Sequence, residues 1–129
     1  MAIDLHELSD DVLAFLRQRH LATLTAPRPD GTPHVAPVCF TYEPDTRLAR
    51  IITFRSARRV AFIGDGARVA LCQVDGARWL TLEGHAVVTD EADRVAEAER
   101  RFAERYRPPR ERDDRVAVEV TVDRLMGRA

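Results

Sequence analysis

Apolar and polar residues alternate over six stretches of the chain, which is the spacing of a β-strand with one buried face. The clearest stretch is the last one, where a valine stands at every second position from Val116 to Val122. The predicted strands are residues 20–25, 33–42, 47–54, 67–74, 78–89 and 115–122.

Turn signals separate these strands, so we expect consecutive strands to pair as antiparallel hairpins. Asp-Gly pairs at 30–31 and 75–76 favour tight turns. Gly84, inside the fifth strand, predicts a bulge. Pro33 and Pro37 cannot donate to a ladder, so their strand should have a poorly paired edge. The pattern is typical of a mainly β fold, a six-stranded antiparallel barrel with flanking helices.

Two other stretches have the spacing of amphipathic helices. Residues 10–19 follow Ser9, whose hydroxyl can cap the helix. Residues 91–106 follow Thr89 and Asp90, either of which can cap it, and their apolar face ends at Tyr106. Three arginines of this second helix fall on its other face and are expected in water: Arg100, Arg101 and Arg105.

Length and composition limit the class of protein. The 129 residues predict one domain spanning 1–129. The 20 arginines are interleaved with 21 acids and the net charge is -1, which argues against a nucleic-acid partner. No apolar run approaches the roughly 20 residues of a membrane span, and the first residues lack the basic region and apolar core of a signal peptide, so we expect no membrane partner and a cytoplasmic location.

Cysteine and histidine spacing gives no metal or disulfide signal. Cys39 and Cys72 lie in different predicted strands and are expected to be free, small apolar residues. No nucleophile elbow, zinc-spaced histidine pair or tight carboxylate pair is present, so we assign no catalytic residue and no metal site.

Three arginines stand at an unfavourable place for a cation. Ser56 can cap a short helix from Ala57 onwards, which puts Arg58 and Arg59 in its first turn and Arg55 just before it. The positive end of a helix dipole disfavours cations there. An anion bound among the arginines would explain the arrangement. The alternative is that all three side chains point into water.

Three segments together resemble the split β-barrels related to pyridoxamine phosphate oxidase. Residues 53–63 are similar to the cofactor-phosphate segment of that family, with Arg59 in place of a usual lysine and Ala57 in place of a common serine. Residues 20–38 and 73–84 resemble two of its hairpins. Within the family, the chain is most similar to the mycobacterial-type branch that uses coenzyme F-420, a deazaflavin, to reduce biliverdin.

The resemblance implies an FMN-binding-like split β-barrel that forms a homodimer with two cofactor sites at the subunit interface. It implies that Arg58 and Arg59, with Thr53, Ser56 and Ala57 in the same segment, hold the phosphodiester of the coenzyme. The backbone of residues 34–38 would lie along the deazaflavin ring; these residues are His34, Val35, Ala36, Pro37 and Val38.

The resemblance also gives a role to the later hairpin. Arg78 and Trp79 would help to close the site from the partner chain, and Arg78 is the candidate anchor for the propionates of a tetrapyrrole substrate. Ordinary packing is the alternative explanation for Trp79.

The expected activity is therefore hydride transfer from reduced F-420 to a conjugated small molecule, biliverdin or a related tetrapyrrole. Two alternatives stay open at this point. One is an FMN-dependent oxidoreductase of the same fold, and the other is a non-catalytic protein that binds a flavin, a deazaflavin or haem.

Overall fold

Eight strands and three helices make up the fold in the computed structural model, which describes residues 1–129. In chain order they are β1 (Ala2–Ile3), α1 (Asp10–Arg17), β2 (Ala22–Pro27), β3 (Pro33–Val38), β4 (Thr41–Glu43), β5 (Leu48–Phe54), α2 (Arg58–Ile63), β6 (Ala67–Asp75), β7 (Arg78–Thr89), α3 (Ala92–Arg105) and β8 (Arg115–Arg128).

All strand pairs are antiparallel, and the predicted mainly β fold class is confirmed. The sheet order is β3-β2-β6-β7-β8-β5-β4, with β1 on the side of β8. β3 and β4 therefore form opposite ends of the sheet, yet only Cys39 and Phe40 separate them in the chain. So short a link forces the two ends together, and the sheet curls into a barrel that is split at these two residues.

The single strand expected over residues 33–42 is wrong, because it breaks where the chain changes sheet edge. Apolar residues continue to alternate through Cys39 and Phe40, and a period of two does not reveal a change of partner strand. The prediction of a poorly paired edge is confirmed, since Pro33 and Pro37 both lie on the end strand β3.

The last strand is also longer than predicted, because β8 continues to Arg128. Its second half pairs with β7 and with β1, whereas residues 116–120 of its first half are all buried and do not alternate. The bulge expected at Gly84 is confirmed by a register shift between Glu83 and Gly84. A Cβ atom on Gly84 would lie 2.1 Å from the Thr121 carbonyl oxygen, so only glycine fits there.

The two predicted helices are present with shorter bounds. Ser9 caps α1 as expected, since its hydroxyl oxygen accepts from the Val12 N–H at 3.2 Å. α1 ends at Arg17 rather than at residue 19. α3 begins after Glu91, which makes no side-chain cap, and the Thr89 hydroxyl instead accepts from the Glu91 N–H at 3.1 Å.

The barrel interior and one face of each helix form the apolar core. Its largest fully buried side chains include Phe15 of α1, Ile63 of α2 and Phe40 of the split. The longest helix, α3, has 14 residues, and none of the three helices combines the length and apolarity that a membrane crossing requires.

Candidate functional site: an arginine-lined groove beside the barrel split

The bend between β5 and α2 holds a desolvated cation. Arg59 is half-buried and donates from Nη1 to the Thr53 hydroxyl oxygen at 3.2 Å. No carboxylate lies within ion-pair distance of its guanidinium, and burial lowers the pKa of Arg59 from its ordinary value. A charge that has lost water without gaining a counter-ion is the expected state of an anion site.

The neighbours of Arg59 differ from the sequence interpretation. The cap residue of α2 is the buried Ala57, not Ser56, and no side chain caps this helix. Ser56 and Arg58 are exposed. Arg55 is also exposed and contacts Asp90 at 3.4 Å, so Arg59 alone of the three arginines is desolvated at this bend.

A groove of about 470 Å³ opens beside Arg59, in the size range of small-molecule sites. One wall is the end of β3 and the start of the split, and the floor is the second half of β5. The other wall is the end of α3 and the loop that follows it. The residues lining the groove are Pro37, Val38, Cys39, Ile51, Ile52, Thr53, Phe54, Arg59, Phe102, Arg107, Pro109, Arg110, Glu111, Arg112 and Arg115.

The groove is strongly basic, with five arginines and one acid in its lining. Arg112 pairs with Asp114 at 2.6 Å, and Arg115 pairs with Glu99 at 2.8 Å. Arg107 and Arg110, like Arg59, have no carboxylate partner. The Nε of Arg115 is buried and also makes no hydrogen bond. The groove therefore has cationic groups left over for a ligand with several negative charges.

Aromatic rings give the same groove an apolar side. The Arg112 guanidinium lies 4.2 Å from the centre of the Phe54 ring, and that of Arg107 lies 5.6 Å from the centre of the Phe102 ring. At these distances the guanidinium charges are attracted to the ring faces, and Arg107 has no carboxylate partner that would occupy its donors. The arrangement suits a ligand that is both conjugated and anionic.

Part of the predicted cofactor set comes together at this groove. Pro37, Val38, Thr53 and Arg59 line it. Ala57 packs beneath α2, and the His34 ring lies 5.1 Å from the Phe62 ring of that helix, next to the groove rather than in its lining.

The two hairpin residues lie elsewhere. Arg78 donates to Asp75 at 2.5 Å and to Gln18 at 3.3 Å, and its guanidinium stacks on the Phe15 ring. Trp79 stands opposite Val74 and Arg128 in the sheet. Neither residue lines the groove of its own chain, so the proposed propionate anchor Arg78 is not placed there.

The sequence interpretation missed the loop after α3. No role was assigned to residues 107–114, whereas the structure brings three of their arginines, Arg107, Arg110 and Arg112, into the groove. The signal was the density of arginine beside Pro108 and Pro109, without any helical or strand period. Cys39, which was expected to be a buried apolar residue, is half-buried and lines the groove as a free thiol; Cys72 is free as well.

Two arginines expected in water, Arg101 and Arg105, are half-buried, and Arg101 pairs with Glu43 of β4 at 3.3 Å. Arg105 donates to the Phe40 carbonyl at 2.6 Å and to the Gln73 side chain at 2.6 Å. Helical spacing placed it on the polar face of α3, but that face meets the barrel at the end of the helix. No group of three or more His, Cys, Asp or Glu side chains in the chain could hold a metal ion.

Sequence comparison finds one family over nearly the whole chain. Residues 8–128 match the pyridoxamine 5'-phosphate oxidase family. The chain is also 49% identical over 122 residues to a reductase of Mycobacterium tuberculosis, named as a biliverdin reductase dependent on reduced coenzyme F-420; the match covers 95% of this chain and 89% of the relative.

Comparison of structures gives the same fold. A conserved hypothetical protein of Mycobacterium tuberculosis has a TM-score of 0.78 at 20% identity, over 94% of this chain and 84% of its own. A protein described as an F-420 reductase has a TM-score of 0.74 at 21% identity, over 92% of this chain and 98% of its own.

Proposed function

The chain belongs to the pyridoxamine 5'-phosphate oxidase family, and from this premise we propose that it is an oxidoreductase that uses reduced coenzyme F-420 to reduce biliverdin or a related tetrapyrrole. The support for the reaction is the relative that is 49% identical over 95% of this chain and carries that activity in its name. The basic groove with its aromatic rings supports the proposed location of the site.

The observation that carries the proposal is the unpaired Arg59. F-420 is a deazaflavin that carries a phosphodiester and a tail of carboxylates, and it needs a site with surplus positive charge. Arg59 and Thr53 provide a guanidinium and a hydroxyl at one end of the groove, held together at 3.2 Å. A phosphodiester oxygen would supply the counter-charge that the half-buried Arg59 lacks. Arg58, exposed one residue earlier, would add a weaker contact.

The ring would lie along the end of β3. This strand pairs only with β2, so its other edge has backbone groups free for a ligand. Pro37 and Val38 carry that edge into the groove. The remaining residues of the predicted segment, His34, Val35 and Ala36, would act through their backbone, while the His34 ring packs on Phe62.

The bound coenzyme supplies the hydride, and this chain supplies position and charge. Its groove contains no histidine and only one carboxylate, Glu111, which is exposed. Solvent is therefore the proposed source of the proton, and no residue is assigned as an acid or a base.

Loop arginines after α3 are additional proposed anchors for the substrate within the groove of the same chain. Biliverdin carries two propionates, and Arg107 and Arg110 are the loop arginines of the groove without a carboxylate partner. Their positions on Phe102 and at the groove rim allow a flat pigment to stack while its carboxylates pair.

A second copy of the chain is part of the proposal. Leu21, Val35 and Val74 are more than half exposed, at 58%, 57% and 53%. The strand register places uncharged side chains between them on the outside of β2, β3, β6 and β7. Monomeric proteins seldom leave so broad an apolar sheet face open. Pro37 belongs to this face and also lines the groove, so a homodimer formed here would put each groove at the subunit interface.

The same face gives a role to the later hairpin. Trp79 stands beside Val74 on it, and a second copy would cover Trp79. Arg78 and Trp79 are therefore proposed to act at the partner's groove and not at their own. The cytoplasmic location is also proposed, and it agrees with two free cysteines.

The test begins with purified protein and two cofactors. F-420 should raise the thermal midpoint, since a ligand at 100 times its Kd stabilises the folded state by about 2.7 kcal/mol, and FMN should raise it less. With reduced F-420 and biliverdin, the pigment absorbance should fall while the coenzyme is oxidised. A rate no higher than that without protein would overturn the proposed reaction.

A further inference from the structure

Phe40 has backbone groups that the sheet cannot satisfy. β3 ends at Val38 and β4 begins at Thr41, so Phe40 lies in the split with no ladder partner on either side. Its residue exposure is 1%. A buried N–H and C=O must find other partners, or the fold loses the free energy of two hydrogen bonds.

The end of α3 supplies both partners. The Phe40 N–H donates to the Tyr106 hydroxyl oxygen at 3.3 Å, and Arg105 donates from Nη1 to the Phe40 carbonyl at 2.6 Å. The Tyr106 hydroxyl then donates its own proton to the His20 carbonyl at 2.7 Å. Arg105, the last residue of α3, and Tyr106, which follows it, thus hold both backbone groups of Phe40.

The Arg105 guanidinium is fixed on its other sides as well. It donates to the Gln73 side-chain oxygen at 2.6 Å and to the Gln18 carbonyl at 2.8 Å. Gln73 is fully buried and donates to the Phe15 carbonyl at 2.8 Å. The arginine therefore has one orientation, set by α1, β6 and the split together. Its plane also lies on the Phe40 ring, 4.8 Å from the centre.

The groove is lined by residues that adjoin Phe40 and Tyr106 in the chain. Residues 37–39, which precede Phe40, form one wall of the groove. Phe102, one helical turn before Tyr106, and Arg107, directly after it, belong to the opposite wall. A shift at Phe40 would consequently change the distance between the two walls.

We propose that Arg105 and Tyr106 are positioning residues, which hold the backbone of Phe40 and thereby fix the wall formed by residues 37–39. The hydrogen bonds described above support the claim that these two residues fix the position of the wall. The expected effect on coenzyme affinity rests, in addition, on the proposed function. Neither residue lines the groove, so both act through Phe40.

The first test measures the reactivity of the wall residue Cys39 and needs no coenzyme. Cys39 adjoins Phe40, and Cys72 on β6, which lies on the proposed dimer face, is an internal reference thiol for variants that keep the wild-type mass in light scattering. In Tyr106→Phe, which removes the hydroxyl but keeps the ring against Phe102, iodoacetamide should modify Cys39 about fivefold faster relative to Cys72. Tyr42→Phe is the matched control, because the buried Tyr42 hydroxyl has no hydrogen-bond partner, and its ratio should equal that of the wild type.

The second test measures binding of F-420. Tyr106→Phe and Arg105→Lys should raise the Kd about fivefold or more, whereas kcat at saturating coenzyme should stay within about twofold. Lysine keeps the charge but lacks the planar fork that reaches Gln18, Phe40 and Gln73 together, so if only the charge mattered, the Kd of Arg105→Lys would equal that of the wild type.

The outcomes separate the two proposals. An unchanged Cys39 to Cys72 ratio, or an equal rise at both thiols as in general loosening, would overturn the positioning role. If the wild-type protein fails to bind F-420 while Tyr106→Phe still raises the ratio, the proposed function is overturned and the control of the wall by Tyr106 is supported.

Discussion

Arg59 and Thr53 meet across the bend between β5 and α2, where Nη1 of the arginine lies 3.2 Å from the threonine hydroxyl. This contact joins the first residue of the segment 53–63, which the sequence singled out, to an arginine of the following helix. It also aims a half-buried guanidinium at the groove, with no acid to neutralise it. The site therefore depends on the loss of water from a cation and not on the dipole of α2, a helix of only 6 residues.

Removal of the Arg59 side chain should weaken coenzyme binding far more than folding. Arg59→Ala deletes a charge-assisted bond of about 1.5–3 kcal/mol to the coenzyme, so the Kd should rise roughly 10- to 100-fold. The thermal midpoint without ligand should change little, because the only hydrogen bond lost is that to Thr53. Fluorescence titration and thermal unfolding measure the two effects. Arg17→Ala, an exposed arginine of α1, is the control. Equal Kd values for both variants would show that the phosphate binds elsewhere.

The loop arginines should act on the substrate and not on the coenzyme. Arg107 is exposed, so Arg107→Ala should raise the KM for biliverdin by about two- to fivefold, and the double variant with Arg110→Ala should raise it further. Biliverdin dimethyl ester lacks the carboxylates, and its KM should not respond to either change. Steady-state kinetics with biliverdin and with its dimethyl ester measures both KM values. A similar rise with the ester would assign Arg107 to stacking instead of charge pairing.

The open sheet face should hold two copies together. Light scattering after gel filtration should give twice the chain mass of 14.6 kDa for the wild type. Val74→Glu and Leu21→Glu place charges on exposed apolar positions of this face and should shift the mass towards one chain. Ala96→Glu, on the exposed side of α3, should leave it unchanged. A wild-type protein that is monomeric at all concentrations would contradict this interface.

Acid should remove one ion pair of α3 at a defined pH. Glu97 accepts from Arg100 and Arg101, whose hydrogen bonds lower the pKa of Glu97 from 4.5 to about 2. Because the folded pKa is depressed, the stabilisation is full above about pH 4.5 and declines as the pH falls to about 2. Glu97→Gln should therefore reduce the free energy of unfolding by no more than about 1 kcal/mol at pH 7.

Chemical denaturation at pH 7, 4 and 3 measures this difference between Glu97→Gln and the wild type, which should shrink at each step. Glu7→Gln on the exposed N-terminal segment serves as the reference. A difference that is constant over this pH range would mean that the ion pair does not stabilise the protein.

Local sequence determined the strands, the helices and the segment that contains the site. Alternation in β7 and β8, the Ser9 cap and the bulge at Gly84 follow from contacts within a few residues or within one hairpin, so the sequence alone predicts them. The anomalous arginines before and within α2 likewise marked the segment of the proposed anion site, although only Arg59 is desolvated there.

The tertiary structure decided where the chain changes sheet edge and which charges lose water. The alternation through Cys39 and Phe40 is unbroken, and only the order of the strands shows that these residues join opposite edges. Arg100 and Arg105 occupy the same polar face of α3 by spacing, yet Arg100 is exposed whereas Arg105 meets the barrel and holds Phe40. The burial of a helical side chain depends on which distant parts of the chain pack against it. The helical or strand period of the sequence does not identify those parts. The groove arises from the same cause, since its walls come from segments about 60 residues apart.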